Sequence, residues 1–203
     1  MTMLQPLAVF DFDDTLIEGD SLWAFLSYAG GGEFSLLTAF AEANARLVLD
    51  RLRGEAARRH VSPRTLLKEH LLRRLIAGKS CDSLGPAVER LRCWRKWKEP
   101  LRQALLDHHA KGHQVVIASG SLSLYMPRMI DDLPYHALIC SDVAVVDGIV
   151  EGSMPNGNCV RERKAERVAV YMRKHGPFGE SWGYGNAPHD LPMMELMTHR
   201  VVV

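Results

Sequence analysis

Three acidic side chains, Asp11, Asp13 and Asp14, stand within four positions directly behind the apolar run Leu7-Ala8-Val9-Phe10. Side chains two apart on an extended segment point the same way, so Asp11 and Asp13 share one side while Phe12 packs away from it. Two carboxylates brought together repel and call for a cation, and hard oxygen donors suit Mg2+. A carboxylate so placed can also attack phosphorus, with a neighbouring acid protonating the leaving oxygen and later activating water. The plain alternative is a strand that ends in acids which cap the next turn. Phosphoryl transfer further demands positive charge and hydrogen-bond donors around the equatorial oxygens. Three later segments offer them. Ser119-Gly120-Ser121 supplies hydroxyls and backbone N–H groups behind a second apolar run, where a helix is expected to start. Lys164 lies near the start of a helical stretch, and Gly185-Asn186-Ala187-Pro188-His189-Asp190 brings oxygen donors behind another apolar run.

These segments need a scaffold that gathers strand ends. Leu7 to Phe10 is continuously apolar and then charged, the pattern of a strand buried on both faces of a parallel sheet. Residues 114–118, 137–140, 182–185 and 201–203 complete five strands, separated by helical stretches at 100–111, 122–131 and 162–174. The alternation predicts an α/β fold with a doubly wound parallel sheet, whose ligands bind beyond the carboxyl ends of the strands. Two β-rich runs joined by Asp147-Gly148 predict an appended hairpin over 143–151. Between the first strand and Pro100, roughly eighty residues carry helical apolar spacing, broken at Gly30-Gly31-Gly32, Ser62-Pro63 and Gly85-Pro86. That is too long for a crossover. It predicts an inserted all-helical domain at 19–97, with the core built from 1–18 and 98–203.

A net charge of +1 over 203 residues gives no global attraction to nucleic acid or membrane. No apolar run reaches about 18 residues without a charge, and no signal segment opens the chain, so a soluble cytoplasmic protein is expected. The four cysteines form no C-x-x-C pair. From Arg46 to Arg74 there are nine basic residues against three acidic ones, either a solvated helix face or a surface that attracts an anionic substrate. His108, His109 and His113 are expected near a helix C-terminus, where a cation complements the dipole. CWRKWKEP at 93–100 is read as an amphipathic helix returning to the core in preference to a nucleic-acid stripe.

DFDDTL resembles the first motif, D-x-D-x-T, of the haloacid dehalogenase superfamily; VVIASGS is similar to its second, Lys164 matches its third, and YGNAPHDLPMM is similar to its acidic fourth. The helical insertion and the NC-x(4)-K context of Lys164 look closest to the phosphoserine-phosphatase-like branch. The resemblance implies a Rossmann-like core with a helical cap, and a Mg2+-dependent phosphatase that cleaves a small phosphate monoester through an aspartyl phosphate. It makes Asp11 nucleophile and metal ligand, and Asp13 the acid/base with its backbone carbonyl on the metal. Ser119, with Gly120 and Ser121, binds the phosphoryl group, Lys164 neutralises nucleophile and phosphate, and Asn186 and Asp190 complete the metal site. Asp20, where relatives have a Glu that meets the substrate amino group, either does the same or opens the first inserted helix. One departure stands out: Asn186 occupies the place of the usual first Asp of the fourth motif. A phosphotransferase or phosphomutase, and a non-catalytic phosphate-binding module, are the competing readings.

Overall fold

Leu7–Phe10 forms β1, and every one of its side chains is buried. It lies at the centre of a five-stranded parallel sheet. β2 (Gln114–Leu122) and β6 (Ser181–Gly185) flank it, β3 (Ala137–Ser141) lies outside β2, and β7 (His199–Val202) lies outside β6. The computed structural model describes residues 4–52 and 62–203. From β1 the chain winds outward through β2 and β3, then crosses back to β6 and β7, so the sheet is doubly wound with its switch point beside β1. Helices cover both faces, which is why β1 reads as continuously apolar. Leu7, Val9, Val116 and Ala118 pack on Val168 of α7 (Arg161–His175) and on Met193, Met194 and Met197 at and beyond α8 (Leu191–Met194). Phe10 turns the other way, edge-on to His108 of α5 (Glu99–Ala110).

The second strand runs further than the sequence suggested. Ala118 pairs with Ile139 and Leu122 with Ser141, so two extra residues on β2 make a bulge of Ser119-Gly120-Ser121. Pairing resumes because Ser123 N–H donates to Ser141 O and Ser141 Oγ donates to Gly120 O, at 2.9 and 2.7 Å. The helix expected from residue 122 is only α6 (Met126–Met129), so Ser119 to Ser121 do not sit at a helix start.

The chain divides into two compact units: Met1–Asp20, Arg95–Ser141 and Cys159–Val203 form the sheet unit, and Ser21–Trp94 with Asp142–Asn158 form the helical one. The second holds α1 (Ser21–Ala29), α2 (Glu33–Leu52), α3 (Pro63–Leu75), α4 (Cys81–Trp94) and the ribbon β4 (Val145–Val146) and β5 (Ile149–Val150). The expected continuous core segment 98–203 is thus interrupted. The ribbon turns at Asp147 (φ 50°) and Gly148 (φ 77°), both left-handed as a tight hairpin turn requires. It is stitched to the helices by Gly78 N–H to Val150 O (2.9 Å), Cys81 N–H to Gly148 O (2.8 Å) and Met154 N–H to Glu69 Oε1 (2.9 Å).

Gly85-Pro86, read as a break, lies inside α4. Proline disfavours a helical residue before it through that residue's Cβ, and Gly85 has none. Ser62 does start α3, its Oγ accepting from Thr65 N–H at 3.2 Å with Pro63 at the first helical position. CWRKWKEP is not one helix: α4 ends at Trp94 and α5 starts at Glu99, and between them Trp97 bridges to Ile17. Arg95 instead clasps both Asp132 oxygens at 2.9 and 2.8 Å. Arg53, Glu55, Arg58 and Arg59 of the basic stretch lie outside the described residues. Within the rest, Lys68 is buried and donates to Asn158 Oδ1 at 3.1 Å, so that stretch is not solely a solvated face. Among the described residues, no helix is long and apolar enough to cross a membrane.

Candidate active site

Alternation along β1 decides which helix the first carboxylate meets. Leu7 and Val9 face α7, so Asp11 points to the same side, still held in the ladder by its N–H to Tyr184 O at 2.9 Å. On α7, Val168 packs against Leu7 and Val9, and Lys164 lies one turn earlier on the same stripe. Its Nζ therefore reaches Asp11 Oδ1 at 2.6 Å, and the same ammonium meets Asp190 Oδ1 at 2.6 Å. The outer oxygens are satisfied too: Thr15 Oγ1 donates to Asp11 Oδ2 at 2.8 Å, and Asn186 N–H donates to Asp190 Oδ2 at 3.0 Å. Asp11, Lys164 and Asp190 are all buried. Gly185 permits this approach, because a Cβ there would stand 2.5 Å from Asp190 Cβ.

Burial alone would discharge Lys164, but the two carboxylates outweigh it and raise its pKa above the ordinary lysine value. Burial pushes the Asp11 carboxyl up, and Asp190 adds to that, while the Lys164 ammonium and the Thr15 hydroxyl hold it down. Both shifts are upward, which favours charge on Lys164 and disfavours it on Asp11. The 2.6 Å contact makes the ion pair the state at neutral pH, since a buried charge persists where it is paired and hydrogen-bonded.

Asp13 accepts a short hydrogen bond from Ser121 Oγ. Ser119 is buried, and its Oγ accepts from Ser121 N–H at 3.0 Å, tying the bulge together. Gly120 is required there, since an added Cβ would meet Val160 Cγ1 at 2.8 Å. Asp14, the third acid of the opening triplet, is structural. It takes φ 55°, pairs with Gly19 through its N–H and Oδ1 at 3.1 and 3.0 Å, and its carbonyl accepts from Lys98 Nζ. Asp20 is exposed, immediately ahead of α1.

Among the described residues, no three His, Cys, Asp or Glu side chains group as a metal site. The reason is local: position 186 carries an amide, and the Asp13 carboxylate is engaged with Ser121. The donors that do lie together are oxygens: the carboxylates of Asp11 and Asp190, the Asp13 carbonyl, and the Asn186 amide, whose Nδ2 lies 3.4 Å from Asp13 O. Turning that amide over presents its oxygen to the same point. An all-oxygen set with two carboxylates has the chemistry of a Mg2+ site.

Sequence reasoning missed Thr15 as a partner of Asp11; the signal was its place four residues on, where a turn brings it back. It also misread His108. That ring is neutral, its pKa lowered to about 4 by burial, then by His113 and Lys111. It is hydrogen-bonded to His113 Nδ1 at 2.7 Å and Tyr184 OH at 2.9 Å, and so is no cation for a helix end.

These features define a Rossmann-like α/β protein with its polar cluster at the carboxyl edge of the sheet. Residues 8–195 match the haloacid dehalogenase-like hydrolases, and the chain belongs to that family. It is similar to Protein CicA of Caulobacter vibrioides, 28% identical over 207 residues that cover 95% of this chain and 83% of that one. It is also similar to a phosphoserine phosphatase of Archaeoglobus fulgidus, 26% identical over 191 residues, 93% of this chain and 49% of that one. In fold it matches a protein of unknown function from Bordetella pertussis Tohama I with a TM-score of 0.76, 23% identity, and coverage of 98% and 90%.

Proposed function

We propose that this chain is a Mg2+-dependent phosphatase that cleaves a small phosphate monoester through an aspartyl phosphate on Asp11. The observation that carries this reading is the ammonium of Lys164, shared at 2.6 Å between Asp11 and Asp190 at the carboxyl edge of the sheet. A buried nucleophilic carboxylate needs an adjoining fixed positive charge to meet an anionic phosphoryl group. The similarity to a phosphoserine phosphatase supports the same reaction class.

In the first step an Asp11 carboxylate oxygen bonds to phosphorus, the P–O ester bond breaks, and Asp13 gives its proton to the leaving oxygen. In the second, water attacks phosphorus, its proton passes to Asp13, and the Asp11 acyl phosphate bond breaks to free inorganic phosphate. Lys164 holds Asp11 in place and offsets charge on the phosphoryl oxygens. The hydroxyl of Ser121 orients the Asp13 carboxylate, and the Ser119-Gly120-Ser121 bulge supplies donors to the phosphoryl group. Asp11, Asp190, the Asp13 carbonyl and Asn186 would hold Mg2+, which would supply Lewis-acid neutralisation of charge at the phosphoryl oxygens.

The test is turnover of p-nitrophenyl phosphate with and without Mg2+, in the wild type and in Asp11→Asn. Metal-dependent release of nitrophenol that vanishes in the variant is expected. Binding of an oxyanion without release would point instead to the non-catalytic module that Asn186 motivates. Asn186→Asp sets a carboxylate against the Asp13 carbonyl, so Mg2+ should raise its melting temperature more than that of the wild type.

A further inference from the structure

α2 is the longest described helix, and one side of it is apolar and open to solvent. Phe34 is 80% exposed, Leu37 66%, Val48 58% and Leu52 78%. With Ala41 and Ala45 they recur at three- and four-residue intervals, the spacing of a face that packs on another helix. The opposite side of α2 is already occupied, since Ala39 and Ala43 are buried. The stripe extends onto α1, where Trp23 stacks edge-on against Phe40 at 5.5 Å. Scattered surface hydrophobics are ordinary, but a contiguous stripe along a helix marks a contact surface.

We infer that α2 is a self-association surface, along which two copies of this chain pair antiparallel. The pattern is its own complement. Phe34 and Leu52 are eighteen residues apart, five turns at about 3.6 residues per turn, so they share one side of the helix. Reversing a second α2 sets Phe34 against Leu52, Leu37 against Leu49 and Ala41 against Ala45, with the small residues where the backbones approach. Charge follows the same rule. Glu33 in the first turn and Arg51 in the last are also eighteen residues apart, on one flank of the stripe. In an antiparallel pair like flanks face each other, so Glu33 of each copy meets Arg51 of the other, twice. A parallel pair would set each against the opposite flank and lose both contacts. A helix of about 30 Å offers less than the roughly 800 Å² per partner of a standard interface, so the association is reversible.

The experiment is sedimentation velocity over a concentration series from about 1 to 300 μM, a span chosen for an interface below standard size, comparing the wild type with Leu37→Glu. Leu37 is solvent-exposed and outside the active site, so the variant should fold and keep its phosphatase turnover. The proposal predicts a concentration-dependent dimer that Leu37→Glu weakens about a hundredfold, because each copy would then bury an unpaired carboxylate against Leu49 of the other. Arrangement is read by oxidation in a Cys81→Ser/Cys93→Ser background. Glu33→Cys with Arg51→Cys should cross-link, whereas either alone should not, since like positions lie about 27 Å apart in the antiparallel pair. A wild type that stays monomeric at the top concentration, a dimer untouched by Leu37→Glu, or cross-linking of either single cysteine variant overturns it. So does a monomer that floats with phosphatidylserine vesicles through this face, since the occupant would then be lipid. None of these outcomes bears on whether p-nitrophenyl phosphate is hydrolysed.

Discussion

Two polar clusters, one buried and the other partly so, lie on opposite faces of the same pair of strands. On the α7 face of β1 and β6 stand Asp11, Lys164 and Asp190; on the α5 face stand His108, His113 and Tyr184, with the Phe10 ring stacked 4.2 Å from Tyr184. The first holds one cation between two anions. The second is neutral: one proton serves the Nδ1 to Nδ1 bond between the two imidazoles, and protonating both rings would break it. Burial acts on both with the same sign, against charge, and only the first has opposite charges close enough to override it. A buried cluster therefore stores reactivity when its charges are paired, and rigidity when it carries none.

The sharpest break in that contrast is Asp11→Asn, which should cost about 10⁴-fold or more in kcat while the fold survives, measured with p-nitrophenyl phosphate and circular dichroism. Lys164→Met leaves the Asp11 and Asp190 carboxylates buried together without their cation. It should destabilise the fold by about 3–5 kcal/mol in urea unfolding. The neutral cluster answers to pH instead. His108 titrates near 6.5 in the unfolded chain and at about 4 in the fold, with His113 also lowered, by burial first and Lys111 second. The unfolded state takes up protons first, so stability should fall as pH drops from 6.5 towards 4. His108→Gln should flatten the dependence of melting temperature on pH across that window. Gly120→Ala should lower kcat/KM by about tenfold as its Cβ presses on Val160 and shifts the bulge, and adding Val160→Ala should recover part of the loss. Smallest is Tyr184→Phe, which removes the hydrogen bond to His108 and should cost about 1 kcal/mol with kcat unchanged.

The strands were legible because burial on both faces leaves an uninterrupted apolar run that ends where the chemistry begins, as at Phe10-Asp11. Lys164 was legible only through the resemblance of its NC-x(4)-K segment to the third motif, since a lone lysine near a helix start reads as a solvated side chain. What escaped reading depends on partners distant in the chain. Nothing in VVIASGS says that Ser141 will hold the strand together past Ser121 and turn the serines into a bulge. The charge of His108 is set first by its burial, which a helix-end pattern does not show. Gly85-Pro86 misled because each residue alone breaks a helix, while together the missing Cβ of one accommodates the ring of the other. The ribbon was seen at Asp147-Gly148, but its allegiance to the helices rests on backbone groups at Gly78 and Cys81 that carry no sequence signature.

Since Asp142–Asn158 belongs with Ser21–Trp94, the polypeptide passes between the units at four places rather than two. Any attempt to graft the helical unit from a relative, or to excise it for separate study, must therefore carry both segments and make two joins in the sheet unit. A transplant of residues 21–94 alone would leave behind the ribbon that pairs with Gly78 and Cys81, and a chimera so built should express poorly for reasons unrelated to catalysis.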